Sequence, residues 1–315
     1  MSTYVLPKKD YKTAIREVDL NGLTVGGENS LNFMHSETNK ISKPIVICEV
    51  ITNIPSNYPQ LLKEAWGDVL YNPVEFVKEA IKKDISALAI RFNIENCENI
   101  NSEIEKSKAQ LKEILAITDL PLFLIGTFRR EVDIKLLPEL ARTAGRKCTI
   151  GCVEEENFKQ IAPIVKEYGH NIIARTPIDI NLTKQLNILL TELGFDADKI
   201  IIDPNTGGLG YGLDYAYSII ERIKLAALQG DTMLNMPVIA FVGEEAWKTK
   251  ESKSTNVPDE WGKINTRALS WECITASSML VSGANIVVMR HPQTMGYVQK
   301  FIDGAYTPNL NLFSG

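Results

Sequence analysis

Eight short apolar runs recur along the chain from residue 44 onward, and amphipathic segments separate them. The runs are continuous rather than alternating, which is typical of parallel strands buried on both faces. Eight strand–helix units are the number found in a (β/α)8 barrel, and we predict this α/β TIM barrel for residues 44–315. A doubly wound open sheet would need a chain reversal that the pattern does not contain. The predicted strands cover residues 44–50, 85–92, 121–126, 147–153, 171–175, 199–203, 237–242 and 285–289.

Helical periodicity fills most of the gaps between these runs. Asn72-Pro73 begins one helix, because asparagine caps helix starts and proline is tolerated in the first turn. Residues 51–70 and 243–265 lack the pattern, and we predict two long loops at the top of the barrel, where functional loops concentrate. The other predicted helices begin near residue 101 or cover 132–144, 155–168, 179–193, 213–228, 266–282 and 294–303.

Residues 1–43 differ from the rest of the chain and form a separate N-terminal segment in our division. Apolar and polar residues alternate around Asn21-Gly22, a dipeptide that favours a tight β-hairpin turn. A hairpin that precedes a barrel is well placed to plug its lower mouth. The predicted organisation is therefore a hairpin segment at 1–43 and a barrel at 44–315.

Charge and hydropathy exclude some classes of partner. The net charge is −5, so nothing favours binding to nucleic acid or to an anionic membrane surface. The longest apolar runs are too short to span a bilayer, and the N-terminus lacks the apolar core of a signal peptide. We expect a cytoplasmic protein.

The five cysteines do not suggest a metal cluster on this chain. Cys148 and Cys152 lie on one predicted strand, which places them about 13 Å apart. Two thiolates on one metal ion must approach each other to roughly 4 Å. Since no other cysteines stand at cluster spacing, we expect no iron–sulfur cluster here.

Charged and polar residues end most of the predicted strands and should meet at one mouth of the barrel. They could form a hydrogen-bonding rim for a polar ligand, or a layer of ion pairs that closes the barrel, because buried charges need partners. No metalloprotease motif, nucleophile elbow or strand-end lysine occurs, so the residues alone show no catalytic chemistry. The strand-end residues are Glu49, Arg91, Thr127, Glu154, Arg175, Asp203, Asn205, Glu244, Glu245, Arg290 and His291.

The sixth predicted strand leads into a glycine-rich loop at residues 203–212. Glycine permits positive φ and lets a bulky ligand approach the backbone closely. The glycine spacing does not match a dinucleotide fingerprint, and no Lys-Ser/Thr follows as in a P-loop. The loop is therefore either a ligand-binding element or a flexible connection without a ligand.

Four motifs carry a family resemblance over nearly the whole chain. They are GGENSL at residues 26–31, DPNTGGLGY at 203–211, RALSWE at 267–272 and GANIVVMRHP at 283–292. With them the chain resembles the small subunit of the corrinoid iron–sulfur protein of the anaerobic acetyl-CoA pathway. It is also similar to that protein's archaeal counterpart, the delta subunit of the acetyl-CoA decarbonylase/synthase complex.

The resemblance implies a barrel akin to pterin-binding methyltransferases and a non-catalytic role in methyl transfer. The partner would be a large subunit that holds a cobamide and a [4Fe-4S] cluster, and the two would form a heterodimer. The heterodimer would carry a methyl group from methyltetrahydrofolate, delivered by a methyltransferase, to acetyl-CoA synthase. The barrel mouth would cover the cobamide at the subunit interface. The expected cofactor-facing residues are Asp203, Asn205, Thr206, Gly207, Gly208 and Gly210.

Two other functions remain open at this point. The chain could itself be a pterin-binding, corrinoid-dependent methyltransferase, with Asp203 and Asn205 on the pterin and Glu49 or Asp203 assisting proton transfer. It could also be a barrel that only scaffolds a larger complex. The fold cannot separate these functions, because unrelated activities share it.

Overall fold

Eight parallel strands form a nearly closed barrel in the computed structural model, which describes residues 9–34, 37–38, 40–95 and 98–306. Strands adjacent in sequence are neighbours, and the last strand pairs with the first. An isolated parallel bridge between Ile202 and Val238 joins the remaining two edges. The predicted TIM barrel is confirmed. Its strands are β3 (Ile45–Ile51), β4 (Ala87–Arg91), β5 (Leu122–Ile125), β6 (Thr149–Val153), β7 (Asn171–Arg175), β8 (Ile200–Asp203), β9 (Ile239–Ala240) and β10 (Ile286–Met289), after the hairpin strands β1 (Val18–Asp19) and β2 (Thr24–Val25).

Helices connect the strands at the positions that the periodicity predicts. The Asn72 side chain accepts hydrogen bonds from the backbone N–H groups of Val74 and Glu75, as expected of an N-cap. The helices are α1 (Gln60–Trp66), α2 (Pro73–Ala80), α3 (Ile100–Leu115), α4 (Arg130–Thr143), α5 (Phe158–Glu167), α6 (Ile180–Glu192), α7 (Leu213–Leu228), α8 (Val242–Ala246), α9 (Lys250–Lys253), α10 (Ile264–Ser282) and α11 (Pro292–Tyr306).

The two predicted long loops are not structureless. Residues 51–70 contain α1, and a 3-10 helix, Gly67–Tyr71, follows it. Residues 243–265 contain most of α8, all of α9 and a 3-10 helix at Asp259–Trp261. These elements are too short for a 3.6-residue period to be recognised, which is why the sequence pattern missed them. Within the described part of the chain, no helix combines the length and hydropathy needed to cross a membrane.

The barrel strands separate two apolar layers. Along β3, Ile45 and Ile47 belong to the cluster inside the barrel, whereas Val46, Cys48 and Val50 belong to the cluster between the strands and the helices. Successive side chains of a strand point to opposite faces, so each strand contributes to both layers. This double burial explains the continuous apolar runs in the sequence.

The N-terminal hairpin packs against the amino-terminal end of the barrel. Its residues Val18, Leu20 and Val25 belong to the cluster inside the barrel. The Asp19 carboxylate pairs with Lys147 at 2.9 Å, and the Asp19 carbonyl accepts a hydrogen bond from the Asn171 side chain at 2.8 Å. These contacts place the hairpin at the end opposite the strand-end charges. The division into segments 1–43 and 44–315 stays a prediction, and residues 1–8 lie outside the described residues.

A buried ion pair also attaches the N-terminal segment to the barrel. The Lys224 ammonium on α7 is fully buried and donates to the Glu28 carboxylate and, at 2.9 Å, to Asn285 Oδ1. Asn285 in turn donates to Glu28 at 2.8 Å and accepts from the Val238 backbone N–H at 3.1 Å. The GGENSL and GANIVVMRHP motifs therefore meet in space through these polar side chains.

Candidate functional site

A layer of paired charges occupies the carboxyl ends of the barrel strands, and Glu49 lies at its centre. This carboxylate at the end of β3 is 1% exposed. One oxygen accepts from Arg91 Nε at 2.5 Å, and the other accepts from Arg290 Nε. Burial alone would raise the pKa of Glu49, but the guanidinium groups of Arg290 and Arg91 outweigh it and hold the pKa below its usual value. Glu49 is therefore ionised and neutralised within the fold.

The layer continues to both sides of Glu49. A terminal nitrogen of Arg91 lies 2.5 Å from the Glu244 carboxylate, which also pairs with Lys248 at 2.8 Å. On β7, Arg175 Nε donates to Asp203 at 2.5 Å. Of the two arrangements that the sequence left open, the structure shows an ion-pair layer for these strand-end residues.

Two aromatic rings fill the space between the arginines. The guanidinium carbons of Arg91 and Arg175 lie 4.1 and 3.7 Å from the centre of the Phe128 ring. Phe241 packs edge-on against Phe128, with 5.9 Å between the ring centres. A guanidinium over an aromatic face is attracted electrostatically, so these contacts hold both arginines in place. The sequence analysis did not select Phe128 or Phe241, because its candidates were the charged and polar residues at strand ends and both of these residues are apolar.

The remaining strand-end residues lie at the margin of the layer. The Thr127 backbone N–H and hydroxyl donate to Asp133 at 2.8 and 2.9 Å, which ties the end of β5 to α4. Glu154, after β6, is half-buried and lines a cavity beside Arg175. Burial raises the pKa of Glu154, and the nearby Arg175 lowers it in part.

The predicted cofactor-facing residues do not all lie on open surface. Asp203 is fully buried; one oxygen binds Arg175 and the other accepts the Asn205 backbone N–H at 3.0 Å. The Thr206 hydroxyl accepts the Phe241 backbone N–H at 3.0 Å. Gly207 is buried as well. These three residues shape the strand end and the loop rather than presenting side chains to a ligand.

The rest of the glycine-rich loop folds back and attaches to α10. Trp271 Nε1 donates to the Leu209 carbonyl at 3.1 Å, and the Leu209 backbone N–H lies 3.3 Å from the Thr275 hydroxyl. Gly208 is buried, whereas Asn205 and Gly210 are exposed. Tyr211, which sequence reasoning did not select, is 57% exposed. The exposed part of the predicted set is thus Asn205 and Gly210.

We expect Gly207→Ala to displace this loop. A Cβ atom at residue 207 would lie 2.1 Å from the Gly212 carbonyl oxygen, a backbone atom that cannot rotate away. The substitution should cost about 1–3 kcal/mol and increase proteolysis within residues 205–212. Gly208→Ala is the matched control, because its Cβ would meet nothing closer than 3.4 Å. Limited proteolysis and urea denaturation measure both effects; equal behaviour of the two variants would contradict the expectation.

The side chains of the described histidines, His170 and His291, make structural contacts. His170 Nδ1 accepts the Cys148 backbone N–H at 3.1 Å, and Nε2 lies 2.8 Å from the Ala141 carbonyl oxygen. His291 stacks on Trp247, and burial lowers the pKa of His291 to about 4. Among the described residues, no group of three or more His, Cys, Asp or Glu side chains is arranged to hold a metal ion. His35 and Cys97 lie outside the described residues.

Comparison with known proteins gives a family match over most of the chain. A family model described as CO dehydrogenase/acetyl-CoA synthase delta subunit matches residues 18–299. The acetyl-CoA decarbonylase/synthase complex subunit delta of Archaeoglobus fulgidus is 29% identical, with 93% of this chain and 69% of that protein covered. Its counterpart in Methanopyrus kandleri is 26% identical, with 89% and 70% covered. For Methanosarcina thermophila subunit delta 1 the identity is 28%, and the chain spans 64% of that protein's length.

Solved structures with a similar fold include dihydropteroate synthases. The Xanthomonas albilineans enzyme superposes with a TM-score of 0.59 at 12% identity, covering 93% of this chain and all of that chain. The Stenotrophomonas maltophilia enzyme gives a TM-score of 0.60 at 12% identity, with 93% and 99% covered. At this identity the likeness shows the barrel fold alone.

Proposed function

Because the chain belongs to the CO dehydrogenase/acetyl-CoA synthase delta subunit family, we propose that it is the small subunit of a heterodimeric corrinoid iron–sulfur methyl carrier. In this role its barrel mouth covers a cobamide that a large partner subunit holds. The methyl group comes from methyltetrahydrofolate through a methyltransferase and goes to acetyl-CoA synthase. The chain itself is a non-catalytic subunit in this proposal.

The self-neutralised barrel mouth is the observation that carries the proposal. Glu49, Asp203 and Glu244 are all engaged by arginine, so the described carboxylates of the layer are committed to ion pairs. Buried, paired charges around two aromatic rings form a rigid surface that needs no bound group to stay folded. Such a surface suits a cover that excludes water from a reactive cofactor.

The residues around the mouth fit the periphery of a cobamide. When bound, the cobamide supplies the cobalt that accepts and donates the methyl group. Exposed Asn205 and Gly210 would contact it directly, whereas Asp203, Thr206, Gly207 and Gly208 would hold the loop in shape. We assign the [4Fe-4S] cluster to the partner subunit, not to this chain.

The outward face of α10 supports assembly with another subunit. Between Arg267 and Gly283 the only charged residue is Glu272, which is fully buried. Ile274 and Val281 are 46% and 42% exposed on this helix. An exposed helical face without charges is unusual on a monomer and is typical of protein interfaces. The α10 face comprises Ser270, Cys273, Ile274, Ser277, Ser278 and Val281.

We expect Ile274→Glu to weaken association with the large subunit by about tenfold or more, because a desolvated carboxylate would oppose docking. The stability of the isolated chain should hardly change, since the position is exposed. Leu193→Glu is the matched control, because Leu193 is 42% exposed just after α6. Affinity is measured by biolayer interferometry with the purified partner. If both variants weaken the affinity equally, or if neither variant weakens it, the α10 face is not part of the interface.

Anaerobic co-purification tests the proposed function itself. The tagged chain is expressed with its large partner, and cobalt, iron and the visible spectrum are measured on the product. We expect cobalt and iron to arrive only with the second chain, while the isolated chain is colourless. A chain that purifies alone, binds methyltetrahydrofolate and methylates free cob(I)alamin would overturn the carrier role.

That last outcome would favour the second candidate, a pterin-binding corrinoid-dependent methyltransferase. The fold neighbours include dihydropteroate synthases, and one of these was solved with a pterine–sulfa conjugate. However, Asp203 would have to leave Arg175 before it could bind a pterin. The cost of separating this buried pair makes the carrier role the better-supported proposal.

A further inference from the structure

A cavity of about 250 Å³ opens beside the charged layer, next to the ends of β6, β7 and β8. Its polar lining comes from the connections that follow three neighbouring barrel strands. Glu154 and Glu156 follow β6, Arg175 ends β7, and Asn205 follows β8. The cavity is therefore built by elements that the barrel itself positions.

Arg175 is the fixed hydrogen-bond donor of this cavity. Its guanidinium is held through Nε by Asp203 and lies 3.7 Å from the Phe128 ring centre. Of the described residues, only Asp203 accepts a hydrogen bond from the Arg175 side chain. Both terminal nitrogens consequently remain available as donors beside the cavity.

The glutamate side chains of the lining supply hydrogen-bond acceptors and an excess of negative charge. Glu155 also lines the cavity, and its carboxylate accepts from Gln185 at 3.1 Å. Three carboxyl groups and one guanidinium line the cavity, so the lining disfavours an anionic ligand such as a carboxylate or phosphate. Leu182 and Pro177 add apolar surface at the rim.

We propose that this cavity binds a primary carboxamide on a short methylene stem. The carbonyl oxygen accepts from the terminal nitrogens of Arg175, and the NH₂ group donates to Glu154 or Glu156. The stem packs on Leu182 and Pro177. The proposal rests on the proposed function, because the edge of a corrin ring carries primary carboxamide arms of this kind. The cavity would thus take one such arm of the cobamide.

The first test uses propionamide and sodium propionate as probes on the full, ¹⁵N-labelled chain. We expect propionamide to bind about tenfold more tightly than propionate. Propionate has no N–H group to donate to the glutamate carboxylates, and its own negative charge is repelled by them. The backbone amide resonances of residues 154–156, 175, 176 and 205 should shift on titration. Equal binding of the two probes, or shifts confined to other residues, would overturn the carboxamide site.

A charge reversal sharpens the first test. Glu154→Lys adds a donor and removes an acceptor, so the preference should change from propionamide to propionate. Glu167→Lys is the matched control at the exposed end of α5, and its preference should stay with propionamide. An unchanged preference in Glu154→Lys would contradict the assignment of Glu154 as acceptor.

The second test separates a corrin arm from an Asn or Gln side chain of the partner. Affinity is measured between Glu154→Lys and the large subunit, once loaded with cobamide and once free of it. If the substitution lowers the affinity several-fold for the cobamide-loaded partner but not for the cobamide-free partner, the cavity binds a corrin arm. Equal weakening with both partners overturns it and assigns the amide to the partner protein.

The two proposals fail in different ways. A chain that prefers propionamide but retains no cobalt-containing partner would keep the carboxamide site and overturn the carrier role. A chain that assembles with a cobalt- and iron-containing partner but shows no preference for propionamide would keep the carrier role and overturn the carboxamide site.

Discussion

Replacing Glu49 with alanine is expected to destabilise the protein by about 3–5 kcal/mol, since removal of one partner leaves buried charges uncompensated. Glu49 accepts hydrogen bonds from both Arg91 and Arg290, so each of these two guanidinium groups would lose a carboxylate partner. Arg91 would keep its ion pair with Glu244. Arg290, whose ion pair is with Glu49, would not gain an equivalent partner. Urea denaturation of the variant and the parent chain measures the difference.

An exposed ion pair provides the control for this effect. Glu75 pairs with Lys78 at 2.8 Å, but both side chains are about half exposed. Glu75→Ala should therefore change the free energy of unfolding by no more than about 0.5 kcal/mol. A Glu49→Ala variant as stable as Glu75→Ala would show that the mouth layer contributes nothing to folding.

The contribution of Glu49 should also depend on pH. The pKa of Glu49 is lower in the folded chain than in the unfolded chain, where a glutamate has a pKa of about 4.3. The stabilisation from Glu49 is therefore complete at pH 7. It declines once the pH falls below the pKa of the unfolded chain, and it is lost as the pH passes through the lower pKa of the folded chain. The stability difference between the parent chain and Glu49→Gln should shrink over that acidic range. A difference that stayed constant from pH 7 to pH 3 would contradict the lowered pKa.

Replacing Lys224 with methionine is expected to cost about 3–5 kcal/mol at pH 7.5, because Glu28 would remain buried without its ammonium partner. Asn285 would still donate one hydrogen bond to Glu28 but would not supply charge. Thermal and urea denaturation at pH 7.5 measure the loss.

The double variant Glu28→Gln/Lys224→Met completes a cycle with the two single variants. It removes both charges while keeping similar side-chain volumes, so most of the stability should return. The interaction free energy should therefore be large, whereas Lys78→Met and Glu75→Gln on the exposed pair should be additive. Additivity at residues 28 and 224 would mean that the two side chains do not interact in solution.

The sequence determined the barrel, because its signals are local. Eight continuous apolar runs and the helices between them follow from strand burial on both faces and from the 3.6-residue period. Asn72-Pro73 marks a helix start and Asn21-Gly22 marks a hairpin, and both occur where predicted. The four family motifs were likewise readable as a pattern, and the family match over residues 18–299 confirms the resemblance inferred from them.

Only the tertiary structure decided what the strand-end residues do. Arg290 is 241 residues from Glu49 in sequence, and the two side chains meet because the last strand closes onto the first. The same closure brings Phe128 and Phe241 between Arg91 and Arg175. No local sequence pattern encodes which of the charged residues at the ends of the barrel strands will pair with each other. Closure of the barrel selects the pairs, and burial then requires each charge to have a partner.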